Sequence, residues 1–102
     1  MLAISGSTGF LGKKFIEYSQ NNLNRNVIKL PKIIKKGKFN EFYFKKNKLS
    51  EYLKNKKINC IVHFAGVRKA VCEDNYSFAK KSIFDLTKNI CEQIKISKLD
   101  IL

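Results

Sequence analysis

The apolar run Leu2-Ala3-Ile4 passes directly into Ser5-Gly6-Ser7-Thr8-Gly9-Phe10-Leu11-Gly12. No other stretch limits the possible folds so sharply. The spacing G-x-x-G-x-x-G between a short buried strand and a helix is suited to holding a pyrophosphate. Gly6 permits the tight turn off the strand, Gly9 lets backbone approach phosphate oxygens, and Gly12 lets the helix pack close to the strand. A helix starting near Phe10 would aim unpaired N–H groups and the positive end of its dipole at the anion. The mononucleotide-binding alternative, G-x-x-x-x-G-K-[ST], is excluded. The residue five before Gly12 is Ser7, and Lys13 is followed by Lys14.

Further along, strands and helices alternate, which is the mark of a parallel sheet with crossover helices. Strands are expected over residues 2–5, 27–30 (stopped by Pro31), 42–44 and 58–64, the last nearly continuous in apolar character. Helices are expected over residues 10–21, 49–56 and 75–96. In the long helix, Phe78, Ile83, Leu86, Ile90 and Ile94 form one apolar stripe, mostly at four-residue steps. The last residues, Lys98-Leu99-Asp100-Ile101-Leu102, read as the start of another buried strand.

The opening motif resembles that of the extended short-chain dehydrogenase/reductase family, also called the NAD(P)-dependent epimerase/dehydratase family. Members begin with a strand and T-G-x-x-G-F-[IL]-G; this chain has Ser5 in place of the threonine. A second signature, D-x-V-x-H-x-A-[AG], is matched by Cys60-Ile61-Val62-His63-Phe64-Ala65-Gly66, with Cys60 replacing the aspartate. The resemblance implies an α/β fold, a partial Rossmann domain, truncated after the fourth strand and the following helix. Residues 1–102 would be the N-terminal part of that NAD(P)-binding domain, because members run to roughly 300 residues. It also implies hydride transfer to or from a sugar carbon of a nucleotide-sugar by the full enzyme, an epimerase, dehydratase or reductase.

The family's catalytic Tyr-x-x-x-Lys belongs beyond the strand that Leu99 to Leu102 would begin, so no catalytic residue is expected and the chain alone should be inactive. Tyr52/Lys56 and Tyr76/Lys80 have the spacing, but both precede that strand in the chain. In the family chemistry the tyrosine moves a proton at the sugar carbon and the lysine lowers its pKa.

The cofactor-binding residues implied are Gly6, Thr8, Gly9, Phe10, Leu11, Gly12, Lys32, Phe64, Ala65, Gly66 and Val67. An NAD site carries an acidic residue at the end of the second strand, ~20 residues past the glycines, whereas an NADP site carries a basic one. Here the strand ends Leu30-Pro31-Lys32, with Lys35 and Lys36 close by and no acid before Glu41, so NADP(H) is favoured over NAD(H). Where the family places an adenine-contacting aspartate, this chain has Lys45-Lys46-Asn47-Lys48, with Asn47 a substitute. The family's N-x-x-G-T pattern in the long helix is reduced to Ile83-Phe84-Asp85-Leu86-Thr87, with Ser82 a shifted equivalent of the asparagine. The run His63-Phe64-Ala65-Gly66-Val67-Arg68, with Leu86-Thr87, resembles the capsular-polysaccharide branch, whose members reduce keto-nucleotide-sugars with NADPH. Arg68 falls one place early for that branch. His63 in this motif is expected to be packed and hydrogen-bonded rather than catalytic, and a metal role lacks partners.

The net charge of +13 raises nucleic-acid binding as an alternative. Arginine occurs only as Arg25 and Arg68, while lysine, asparagine and isoleucine are abundant. That pattern is the imprint of AT-rich codon usage rather than of a selected phosphate-binding surface, which would favour arginine. The positive field still suits an anionic cofactor and an anionic nucleotide-sugar. A non-catalytic dinucleotide-binding module is the other alternative. Three cysteines without a C-x-x-C pair read as reduced thiols, Cys60 and Cys91 serving as small hydrophobes. No signal-peptide pattern opens the chain and no apolar stretch approaches a membrane span, so a cytoplasmic location with no membrane partner is expected. The full-length parent is expected to bind a nucleotide cofactor and a nucleotide-sugar and to form a homodimer.

Overall fold

The computed structural model describes residues 1–66 and 69–102. β1 (Leu2–Ser5) is the central strand of a three-stranded parallel sheet in the order β2-β1-β5, with β2 at Val27–Lys29 and β5 at Cys60–His63. Leu2 pairs with both Val27 and Cys60, and Ser5 with His63. All four β1 residues are buried, as a strand covered on both faces requires. Leu30 lies one residue past β2 but donates its N–H to Ile4 O at 2.8 Å, so the pairing runs on to the expected end. On the far edge of β5, Leu102 N donates to Asn59 O and Leu102 O accepts from Ile61 N, at 3.1 and 2.8 Å. The last residues thus start a strand-like pairing.

One face of the sheet is covered by α1 (Phe10–Asn22). The other is covered by α3 (Lys48–Asn55) and α6 (Leu86–Ser97), around a core of Ala3, Leu49, Leu53, Ile58, Leu86 and Ile90. Leu49, Leu53 and Leu86 are completely buried, each stabilising the fold by ~1.5–3 kcal/mol. Gln93 joins the two helices, its Oε1 accepting from Ser50 N at 3.0 Å. α4 (Lys69–Asp74) and α5 (Tyr76–Lys80) precede a π-helical turn at Lys81–Asp85, which leads into α6. No helix among the described residues is long and apolar enough to cross a membrane.

Three expectations fail. Phe42-Tyr43-Phe44 is not a third strand but lies in a one-turn helix, α2 (Glu41–Phe44), preceded by a hairpin of β3 (Ile34–Lys35) and β4 (Lys38–Phe39). Aromatic residues favour strands, but packing decides. Asn40 caps α2, its Oδ1 accepting from Phe42 N at 3.0 Å. A helical turn lets the adjacent Phe42 and Tyr43 both be buried: Phe42 packs edge-on to Tyr52 at 5.1 Å, and the Tyr43 hydroxyl reaches Pro31 O. In a strand the two would point to opposite faces.

The stripe of the long helix is also corrected. Ile83 is 41% exposed, whereas Ser82, Gln93 and Ser97 are buried. The π-helical turn adds a residue to the coil and rotates what precedes it, and each buried serine gives its hydroxyl to a helix carbonyl (Phe78 O, Ile94 O). Finally, Cys91 is exposed and Cys60 half-buried, so Cys91 is not a core hydrophobe.

Candidate nucleotide-binding site

At the C-terminal end of β1 the chain turns at Gly6, whose φ of +76° is in the left-handed region. A Cβ there would lie 2.7 Å from Phe64 C and Ala65 N, so the loop after β5 sits directly against it. A Cβ on Gly12 would lie 2.1 Å from Gly6 O. These two glycines bring the start of α1 tightly under the turn. Gly9 differs: its nearest neighbour to a Cβ would be Gly6 O at 3.5 Å, an ordinary contact, so the protein itself leaves room for a side chain. Gly9 is the N-cap of α1 and has no side chain to satisfy the first-turn N–H groups, which stay available to an anion.

These elements border a cleft of about 270 Å³ lined by Gly6, Ser7, Thr8, Gly9, Leu30, Lys32, Ile33, Ile34, Phe64, Ala65, Gly66 and Ser82. It lies outside the carboxyl ends of the parallel strands, where open α/β sheets bind ligands. Of the residues singled out by sequence, Gly6, Thr8, Gly9, Lys32, Phe64, Ala65 and Gly66 meet here. Gly12 is buried behind them. Phe10 and Leu11 are 76% and 62% exposed and do not line the cleft, although Leu11 borders a second groove with Phe15, Tyr18 and Phe64. Any part they play is through backbone N–H groups, because a helix start turns its side chains away from the anion. Val67, like Arg68, lies outside the described residues.

The opposite wall was largely missed. Leu30, Ile33 and Ile34 supply an apolar surface, and only the run of hydrophobic residues across Pro31 hinted at it. Ser7 lies inside the glycine motif and Ser82 arrives through the π-helical turn. Asn47 does not line the cleft; it starts α3 with φ +60°, and its carbonyl accepts from the Ser50 hydroxyl and Glu51 N. The tyrosines of the two Tyr-x-x-x-Lys look-alikes are elsewhere too. Tyr52 packs against Phe42 in the core region, and Tyr76 borders a separate apolar groove with Lys80.

Beneath the cleft, His63 joins three elements. The Thr87 hydroxyl donates to Ile83 O at 2.6 Å, so its oxygen accepts from His63 Nε2–H at 3.0 Å. His63 Nδ1 is therefore the acceptor of a hydrogen bond donated by the Ser5 hydroxyl at 2.5 Å. Ser5 Oγ in turn faces Ala65 N at 3.4 Å. Burial lowers the pKa of His63 below the ordinary 6.5, in keeping with this neutral tautomer. No group of three His, Cys, Asp or Glu residues among the described residues is placed to hold a metal.

No family model and no curated protein matches the sequence. Solved structures do match. An L-threonine dehydrogenase from Clostridium difficile superposes with a TM-score of 0.73 at 22% identity, over 96% of this chain and 34% of the other. A GalE-like L-threonine dehydrogenase from Cupriavidus necator, in its holo form, gives 0.72 at 17% identity over 97% and 34%. A dTDP-4-dehydrorhamnose reductase from Clostridium acetobutylicum gives 0.67 at 20% identity over 98% and 34%. This chain thus spans about a third of the length of the structures it matches. Over that span it shares with them a Rossmann-type α/β fold, built on the parallel sheet β2-β1-β5.

Proposed function

We propose that the chain is the dinucleotide-binding part of an NAD(P)-dependent oxidoreductase of the extended short-chain type, with the cofactor in the cleft at the end of β1. The observation that carries this reading is the contrast among the glycines. Gly6 and Gly12 are required by protein contacts, whereas Gly9 is not, which leaves its missing side chain to be explained by a ligand against the α1 N-terminus. The pyrophosphate would take the first-turn N–H groups of α1, where the helix dipole favours an anion. The apolar wall of Leu30, Ile33 and Ile34 suits an adenosine, and Phe64, Ala65 and Gly66 flank its ribose. Lys32, on that same wall, favours NADP(H) over NAD(H) by neutralising a 2′-phosphate.

For the whole protein we favour hydride transfer at a sugar carbon of a nucleotide-sugar, as the resemblance to the capsular-polysaccharide branch implies, in a cytoplasmic and homodimeric enzyme. A second reading, oxidation of the alcohol of an amino acid, is favoured by the threonine dehydrogenases among the structural matches. Neither reading assigns the chain a catalytic residue, and this segment alone is expected to bind without turnover.

Titration of the chain with NADPH, followed by the fluorescence of the nicotinamide ring, tests the cofactor reading. Gly9→Ala should keep its melting temperature and lose at least tenfold in affinity, about 1.4 kcal/mol. No binding by the unaltered chain, or binding indifferent to Gly9→Ala, would overturn the assignment. Salt-steep binding to an oligonucleotide in place of NADPH would favour the nucleic-acid alternative.

A further inference from the structure

We infer that Asn40 and Tyr43 are positioning residues that set the preference between the two dinucleotides by clamping the main chain on either side of Lys32. The inference rests on the reading of Lys32 as the group that faces a 2′-phosphate.

Three successive carbonyls in this loop are occupied by donors from the start of α2. Pro31 O accepts from the Tyr43 hydroxyl, Lys32 O from Asn40 Nδ2 at 2.9 Å, and Ile33 O from Asn40 N at 2.5 Å. Both side chains are anchored from behind. Asn40 uses its other amide atom, Oδ1, to cap α2. Tyr43 is completely buried, and that burial, with Tyr52 beside it, raises its pKa, so the phenol stays a donor. The Lys32 side chain is exposed and free to extend into the cleft, but its Cα–Cβ direction is fixed by bonds to its own carbonyl and to both neighbours.

A lysine on a loose loop would have to order backbone as well as side chain to meet a phosphate, and ordering costs affinity. Here the backbone share is settled in the folded state. The side-chain bonds of the clamp end on Pro31 O and Lys32 O, while Ile33 O is held by the main chain of Asn40, which side-chain substitution leaves in place. Loss of those side-chain bonds should therefore weaken chiefly the interaction that separates NADP(H) from NAD(H).

The experiment measures NADPH and NADH dissociation constants of the chain and of three variants, with melting curves to confirm folding. Lys32→Ala reports on the underlying reading. Tyr43→Phe keeps the ring and removes the donor; Asn40→Ser keeps an N-cap acceptor and withdraws the amide from Lys32 O. The expected result is a three- to tenfold loss for NADPH in both clamp variants, with NADH changed less than twofold, and a larger loss for NADPH in Lys32→Ala. Should Tyr43→Phe fail to fold, Asn40→Ser decides alone. Equal weakening of both dinucleotides, or none, in clamp variants alongside an NADPH-specific loss in Lys32→Ala, overturns the clamp and leaves Lys32 its role. No NADPH-specific loss in Lys32→Ala overturns the reading of Lys32, and the clamp with it.

Discussion

On one wall of the cleft the backbone is held by missing side chains; on the other it is held by side chains that reach in from outside. Gly6 and Gly12 allow β1, α1 and the loop after β5 to touch, with no atom to spare. Residues 31–33 are instead tied by Asn40 and Tyr43 through hydrogen bonds to carbonyls. Steric requirements of the first kind are absolute and local, because a single methyl group breaks them. Bonds of the second kind can be removed one at a time, each for a modest loss. A wall built by exclusion suits an invariant group such as a pyrophosphate, and a wall built by adjustable bonds suits the part of a ligand that differs between cofactors.

This contrast is open to attack in order of severity. Gly12→Ala should cost about 3 kcal/mol despite the better helix propensity of alanine, because the obstruction is backbone and cannot swing away. Chemical denaturation measures it, and a change below about 1 kcal/mol would show that the exclusion wall yields. Tyr43→Phe should cost about 1 kcal/mol in the same assay, the penalty for leaving a part-buried carbonyl without its donor. Equal losses in the two variants would erase the distinction.

Gly37, at the hairpin tip, has φ +75° but nothing within 4 Å of a Cβ. Gly37→Ala therefore meets backbone strain alone, roughly 1 kcal/mol, with unchanged NADPH binding. The shallowest effect concerns pH. His63 is the chain's only histidine and its pKa is lowered by burial. The unfolded chain then takes up a proton more readily than the folded one, so stability is full above pH 6.5 and falls as pH drops through that value and below. Melting temperatures between pH 7.5 and 5 should decline, and His63→Gln should flatten that decline. A melting temperature that rises on acidification would contradict the neutral Ser5–His63–Thr87 arrangement.

What could be read from the sequence follows the same division. A steric demand leaves a glycine at a fixed offset, so the turn and the start of α1 were visible in one short motif; Phe64 and Ala65 were drawn to the site only by the resemblance of the second, and their contact with Gly6 is seen in the fold alone. The clamp left no such trace. Nothing local to Lys32 announces that Asn40 will spend both amide atoms there, and three aromatic residues in a row read as a strand until their separate partners are known. The irregular step from Phe78 to Ile83 was present in the sequence, but only the π-helical turn shows that it exchanges a buried isoleucine for a buried serine and so carries Ser82 to the cleft.

The position of β1 in the sheet has a consequence for the order in which the molecule assembles. Of the three strands of this sheet the central one is made before its two partners, which lie 25 and 58 residues later, as the pairs Leu2–Val27 and Leu2–Cys60 show. Local hairpins cannot nucleate such a sheet, and long-range parallel pairing is slow. Until residue 63 has been synthesised, Leu2, Ala3 and Ile4 remain an apolar segment with one edge unsatisfied, and His63 cannot yet meet Ser5. The glycine turn therefore takes its final shape late, when Phe64 and Ala65 arrive to close against Gly6.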